Sequence, residues 1–230
     1  MLNNHFFLFF ILSHFLGDFV FQTTKMAKTK TTNIKGLMMH STIVFIAQLV
    51  LMAFFGIYGI FAAVIASCIH FIEDYVKTVL TPIFIRLQII LFVLDQLIHI
   101  LVILILTMFL GTTTRIFEFN PQYVRLAITI VFLTHILTVA IKIILRDLHS
   151  DFANYPFFFK YERLIDALTT VLLWLVWHTP FYFSVMLIII ILFLYYVFQK
   201  TNYMYSPANI IIKYMFYITM SYLVYYFFLF

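Results

Sequence analysis

His5-Phe6-Phe7-Leu8-Phe9-Phe10-Ile11-Leu12-Ser13-His14-Phe15-Leu16-Gly17-Asp18-Phe19-Val20-Phe21-Gln22 is the stretch that decides the fold. It is apolar and about long enough to cross a hydrocarbon layer as a helix, yet it carries His14 and Asp18. Four residues apart on a helix, these two point the same way. The device returns as His70 and Asp74 in Ile69-His70-Phe71-Ile72-Glu73-Asp74, and in reverse order as Asp95 and His99 in Asp95-Gln96-Leu97-Ile98-His99. Ionisable residues inside lipid-spanning helices are costly and mark functional sites. Scattered at random, the eight His and six Asp of the chain would give about 0.4 such pairs when matches to the template are counted. Three are present.

The composition agrees with a membrane setting. Of 230 residues, 65% are hydrophobic and 10% charged, where a soluble domain carries about a quarter charged residues. The mean hydropathy is +1.08. These values predict an all-α, polytopic transmembrane helix bundle. Thirty Phe and fifteen Tyr suit lipid-facing and interfacial surfaces. The net charge of +5 is spread over the loops that flank the apolar stretches, so it gives no nucleic-acid signal. The single cysteine, Cys68, excludes an internal disulfide. The start has no positive region, and its apolar run carries Asp18 and ends without an Ala-x-Ala site, so no cleavable signal peptide is expected.

Hydropathy predicts about eight spans, over residues 5–22, 37–55, 58–79, 89–110, 123–145, 164–179, 181–198 and 209–229. The sixth is short, and Thr179-Pro180 marks a kink or a re-entrant turn there. No repeat, low-complexity tract or linker divides residues 1–230, which read as one integral-membrane domain. Residues 1–110 form a four-helix core with the His/Asp pairs, and 111–230 add further helices. Lys and Arg set the orientation. Lys25, Lys28, Lys30, Lys35, Lys77, Arg86, Lys142, Arg146, Lys160, Arg163, Lys200 and Lys213 fall on one side, and only Arg115 and Arg125 on the other. The richer side is expected to be cytoplasmic, with both termini facing out. Helices of alternating direction then place His14, Asp18, His40, His70, Asp74, Asp95 and His99 in one layer, roughly 5–15 Å below the cytoplasmic boundary.

Imidazoles and carboxylates in one layer suit zinc best, with manganese or iron as alternatives. Ligands at i and i+4 joined by ligands from neighbouring helices are a way to build metal centres in bundles. Those seven residues are the candidate ligands, enough for two metals. A two-metal centre activates water and clamps both oxygens of a displacement at an ester or phosphoester. Asp18, Asp74, Asp95, Gln96 and Lys77 are the catalytic candidates. Gln96 adjoins Asp95 and is placed to orient it. Lys77, three after Asp74, is either a snorkelling lysine or a partner for a phosphate or carboxylate. The bland alternative is that the His and Asp residues satisfy one another, or pair with Lys77 and Glu73. No contiguous metal motif such as His-Glu-x-x-His is present. Gln22 continues the face of His14 and Asp18. Glu162 and Asp166 are one turn apart, as in an ordinary helix start, and could reach the layer. His149 reads as a loop residue, His135 and His178 as structural or interfacial. Lys25 to Lys35 serve topology and contact with anionic lipid.

The run His14-Phe15-Leu16-Gly17-Asp18-Phe19-Val20-Phe21-Gln22-Thr23, with Met26-Ala27-Lys28, His40-Ser41, His70-Phe71-Ile72-Glu73-Asp74-Tyr75-Val76-Lys77 and Asp95-Gln96-Leu97-Ile98-His99, resembles the bacterial membrane family called domain of unknown function 3307. The resemblance covers about residues 1–110. Its motifs are specific together and weak singly. Glu162-Arg163 resembles a pair in the C-terminal part of some members. The family supports a site and no particular reaction. A looser likeness to membrane-bound metal-dependent hydrolases is analogy alone.

The expectation is therefore a multi-pass protein of a bacterial inner membrane that acts as a metal-dependent hydrolase. Its substrate would be a lipid-linked or prenyl-type (phospho)ester at the cytoplasmic leaflet. Membrane lipids are the expected partners, and nucleic acid is not. Two other classes stay open: a proton-coupled carrier with the pairs as relay, and a structural or partner-binding membrane subunit. Five Gly and five Pro give little sign of the broken helices that many transporters use.

Overall fold

The computed structural model describes residues 4–84, 87–111 and 119–148, together with 215, 218, 219 and 222. The stretches expected as spans at 164–179, 181–198 and, apart from four residues, 209–229 lie outside the described residues. So do His149, Glu162, Arg163, Asp166 and His178. Two compact units are present, Met1–Val131 and Phe132–Phe230. Among the described residues every regular element is a helix.

In the first unit, α1 spans His5–Phe15 and runs on through a π-helical turn, Leu16–Val20. Asn4 caps its start by accepting the Phe6 N–H at 2.9 Å. A short α2, Thr24–Thr29, is capped by Thr23, which accepts the Met26 N–H at 3.2 Å. Helix α3, Ile34–Met52, starts on the Asn33 cap. A 3-10 turn, Ala53–Phe55, leads into α4, Gly56–Leu80. Helices α5, Gln88–Leu110, and α6, Pro121–Val131, complete the unit. In the second unit a π-helical turn, Phe132–Ile136, precedes α7, Leu137–Leu148.

Among the described residues, three helical runs are long and apolar enough to cross a membrane: Ile34–Leu80, Gln88–Leu110 and Pro121–Ile144. The first folds back on itself. Gly56 has φ +64°, a backbone region in which an L side chain is strained. Past that turn, Ser67 on α4 donates to Gln48 Oε1 on α3 at 2.8 Å, and His70 meets His40. The two legs are thus antiparallel.

Burial is inverted relative to a water-soluble protein. Helix α4 buries Gly59, Ala62, Ala63, Ala66, Ser67, His70 and Asp74, a stripe at helical spacing whose small residues let backbones approach closely. Helix α5 buries Phe92, Asp95, His99, Ile103, Leu106 and Thr107. Meanwhile Ile46, Val50, Ile57, Phe61, Leu97 and Leu101 are exposed. Polar groups inside and aliphatic ones outside make sense where the surroundings are lipid. These features mark a helical membrane protein.

One end of the unit is closed by aromatic packing. Phe6 and Phe9 of α1 meet Phe55 edge-on, with ring centroids 5.0 and 5.6 Å apart, and Phe9 also meets Phe119 at 5.3 Å. Near the other end α1 crosses α3 at Gly17, where an added Cβ would lie 2.7 Å from the Val44 Cα. That atom is backbone and cannot swing away. Gly17→Ala should therefore push α1 off α3 and cost about 1–3 kcal/mol of overpacking, read as an earlier midpoint in detergent-driven unfolding. An unchanged midpoint would contradict this close crossing.

Candidate metal centre

The seven residues singled out by sequence converge in the first unit. His14 and Asp18 come from α1 and its π-helical turn, His40 from α3, His70 and Asp74 from α4, Asp95 and His99 from α5; all seven are buried. Three groups among them bring ligand atoms within 4.8 Å of one another: His14, Asp18 and His99; Asp18, His40 and His70; His70, Asp74 and His99. The groups share Asp18, His70 and His99, so they form one continuous cluster. Asp95 stands beside it, its Oδ1 3.6 Å from His99 Nε2.

The cluster has two sides of different character. On the α3 side, His40 Nε2 lies 3.2 Å from Asp18 Oδ1 and 3.1 Å from Asp74 Oδ2, and 3.4 Å from His70 Nε2. Lys30 also points in here. Its ammonium donates to Asp74 Oδ2 at 3.3 Å, stands 3.7 Å from Asp18 Oδ1 and lies 3.2 Å from His40 Nε2. Burial opposes the Lys30 charge, but Asp74 and Asp18 outweigh it and raise its pKa above the ordinary lysine value. The side chain is only 13% exposed. Its connection is held down at Gly36, where an added Cβ would come within 2.5 Å of the Thr29 backbone. Met26 of α2 is buried.

On the α5 side the imidazoles gather, His14 edge-on to His99 and His70 tilted against it. The His14 ring centroid is 4.8 Å from that of His99, and the His70 centroid 4.5 Å from it. His14, His70, His99, Glu73 and Gln48 help line a cavity of about 10 Å³, room for one water-sized occupant. His99 Nδ1 is held by Glu73, and its Nε2 makes no hydrogen bond. His14 Nε2 and His70 Nδ1 are also buried without a hydrogen-bond partner, as is His40 Nδ1 on the other side. A carboxylate on one imidazole nitrogen and an open second nitrogen is how metal-ligating histidines are commonly oriented.

The edge of the cluster is where it approaches the surface. Lys77 pairs with Asp95 and lies over the Phe92 ring, 5.7 Å from its centroid. Gln96 donates to Asp95 Oδ2 at 3.1 Å and to Asp18 Oδ2 at 3.2 Å, tying α5 to α1. Sequence reasoning placed Lys77 and Gln96 near the layer. It assigned Lys30 to topology and lipid contact, and mentioned Glu73 only as a neutralising partner. The available signal for Glu73 was its position three residues after His70. For Lys30 there was none beyond its loop, which holds four lysines.

The fold and site thus define a helical membrane protein with a buried His/Asp/Lys cluster shared by four helices. A family model described as "Protein of unknown function (DUF3307)" matches residues 6–124, a span that contains the whole cluster, and the chain belongs to that family. Searches of curated proteins and of solved structures found no match.

Lys30 neutralises two carboxylates at once, so removing it alone leaves both buried without their ammonium counter-charge. In chelator-treated protein, Lys30→Met should cost about 3–5 kcal/mol, and adding Asp74→Asn should restore part of that loss. Additive effects of the two changes on unfolding would show that the bridge does not exist in solution.

Proposed function

We propose that this protein is an integral-membrane metal-dependent hydrolase whose divalent ion, zinc by preference, sits among His14, His70 and His99 with Asp18 and Asp74. The supporting observation is His99, with Nδ1 on Glu73 and Nε2 without a hydrogen bond, beside His14 Nε2 and His70 Nδ1, which are also buried without hydrogen-bond partners. Imidazole and carboxylate together suit zinc, with manganese and iron next. Bound there, such an ion would supply Lewis-acid activation of a water for attack on an ester or phosphoester. Asp18, Asp74 and Asp95 are the carboxylates placed for ligation and proton transfer; Gln96 orients Asp18 and Asp95. Lys77 at the edge is placed to meet an anionic oxygen.

The cavity holds no more than a water-sized group, so the scissile group must enter from the edge where Lys77, Glu73 and Gln96 are part-exposed. That favours a lipid-linked or prenyl-type (phospho)ester drawn from the adjoining leaflet. The exposed Lys25, Lys28 and Lys35 support a cytoplasmic position for this end. The finer topology is part of the proposal: about eight spans, both termini outside, in a bacterial inner membrane.

A second reading is a proton-coupled carrier. It is favoured by the continuous chain of contacts from Lys30 through Asp74, His40 and His70, in which an ammonium already offsets carboxylate charge. It requires pH-dependent flux in liposomes without a bound transition metal. A purely structural subunit would lose stability on Asp95→Asn and keep whatever activity it has.

Elemental analysis of detergent-purified protein should find metal in the wild type and none in His14→Ala/Asp74→Ala. Glu73→Gln should weaken metal binding about 10–100-fold. Full occupancy in the double variant would sink the reading, and a lipid phosphoester screen follows only if it is absent there. The topology has its own check. Cys68 is the sole cysteine, so a Cys68→Ser/Lys28→Cys chain should react with an impermeant maleimide only from the cytoplasmic side of inverted vesicles. Labelling in intact spheroplasts would reverse the orientation.

A further inference from the structure

The ligand set is large enough for two metal ions, but the cluster is already half filled by a cation of its own. Lys30 takes up Asp18, Asp74 and His40 on the α3 side. The water-sized cavity and the unpartnered nitrogens of His14 and His99 lie on the α5 side. We infer that the centre binds one divalent ion, on the His14–His70–His99 side, and that the Lys30 ammonium permanently occupies the place of a second. This rests on the metal reading proposed above and fixes its stoichiometry and position.

Charge balance points the same way. Asp18, Asp74, Asp95 and Glu73 bring four negative charges, and Lys30 and Lys77 bring two positive ones. Metal-binding imidazoles are neutral. The layer is therefore short by two positive charges, which one divalent ion supplies. Two such ions, with Lys30 still in place, would leave a surplus of two positive charges in a buried setting where unbalanced charge is expensive.

Geometry makes Lys30 a fixture. Its connection is pinned where Gly36 meets the Thr29 backbone, and Met26 of the preceding helix is buried. Expelling the ammonium to admit a second ion would strand Lys30 against this packing. As a resident cation, Lys30 is a positioning residue. Together with His40 it holds Asp18 Oδ1 and Asp74 Oδ2, leaving Asp74 Oδ1, and Asp18 Oδ2 beside Gln96, for the ion on the other side. An ammonium there also gives an anionic oxygen of a substrate something to meet without a second metal.

Metal stoichiometry tests this without any assay of activity. Purified protein is stripped with chelator, reloaded with zinc alone and analysed for zinc per chain. The expected values are one equivalent in the wild type, one in Lys30→Arg and one in His40→Ala, with loss in His14→Ala and in His99→Ala. Lys30→Met should rise from one to two. If Lys30→Met does not fold, the contrast between His40→Ala and His14→Ala decides. Two equivalents in the wild type would overturn the inference while leaving the metal reading intact. So would a His40→Ala chain that loses its ion, or a Lys30→Met chain that stays at one. No zinc in the wild type overturns both.

Discussion

Burying carboxylates away from bulk water is the constraint that shapes this protein. Asp18, Asp74 and Asp95 are each almost completely enclosed, at positions where an isolated ionised group is prohibitively costly. Each is answered by a specific neighbour. Asp18 and Asp74 share Lys30 and His40, while Asp95 has Lys77 and Gln96. Lys30, His40 and Lys77 each come from an element other than the one that carries the carboxylate they meet, so no helix neutralises its own carboxylates alone. Helix association and polar satisfaction are the same event here. In lipid, where apolar contact between helices has little driving force of its own, such cross-helix contacts and close small-residue packing carry the specificity.

The close approaches support that arrangement. Gly17 against Val44 brings α1 near α3, and the Gly59–Ala62–Ala63–Ala66 stripe makes one face of α4 narrow. Both put helix axes within reach of short side chains. Aspartate is short, and a wider crossing would leave Asp18 unable to touch His40. The π-helical turn at Leu16–Val20 adds to this by resetting the direction of Asp18 relative to His14. The extra backbone slack of such turns recurs at functional sites.

Much of this was legible in the sequence, for a plain reason. Apolar length is a one-dimensional property, so the expected spans 5–22, 37–55, 58–79, 89–110 and 123–145 fall close to His5–Val20, Ile34–Met52, Gly56–Leu80, Gln88–Leu110 and Pro121–Leu148. The convergence of seven residues followed from alternating helix direction, because depth is also one-dimensional. What stayed hidden depends on chain reversal. Lys30 sits in a polar connection among lysines that face water, and only the fold back over α3 turns it inward. Glu73 lies beside Asp74 but about 100° around the helix. It reaches His99 because α5 packs against that flank.

These two hidden residues alter the chemistry that the visible ones suggest. Seven ligands without counter-charges look like a cage for two metals. Add Lys30 and one half of the cage becomes an internal ion pair, resembling the lysine-neutralised carboxylates of a site in which charge must be held fixed. Add Glu73 and His99 gains a partner for Nδ1 that fixes its ring, leaving Nε2 without a hydrogen bond and the ring packed against those of His14 and His70. The asymmetry between the two sides is then a consequence of which connection reaches the layer. The short α2 and its following turn deliver a cation to the α3 side, while the α5 side gathers the imidazoles of His14, His70 and His99 with the carboxylates of Glu73 and Asp95. A site with one fixed cation and a water-sized cavity beside it is chemically different from a symmetric pair, and that difference originates in a loop rather than in the membrane helices.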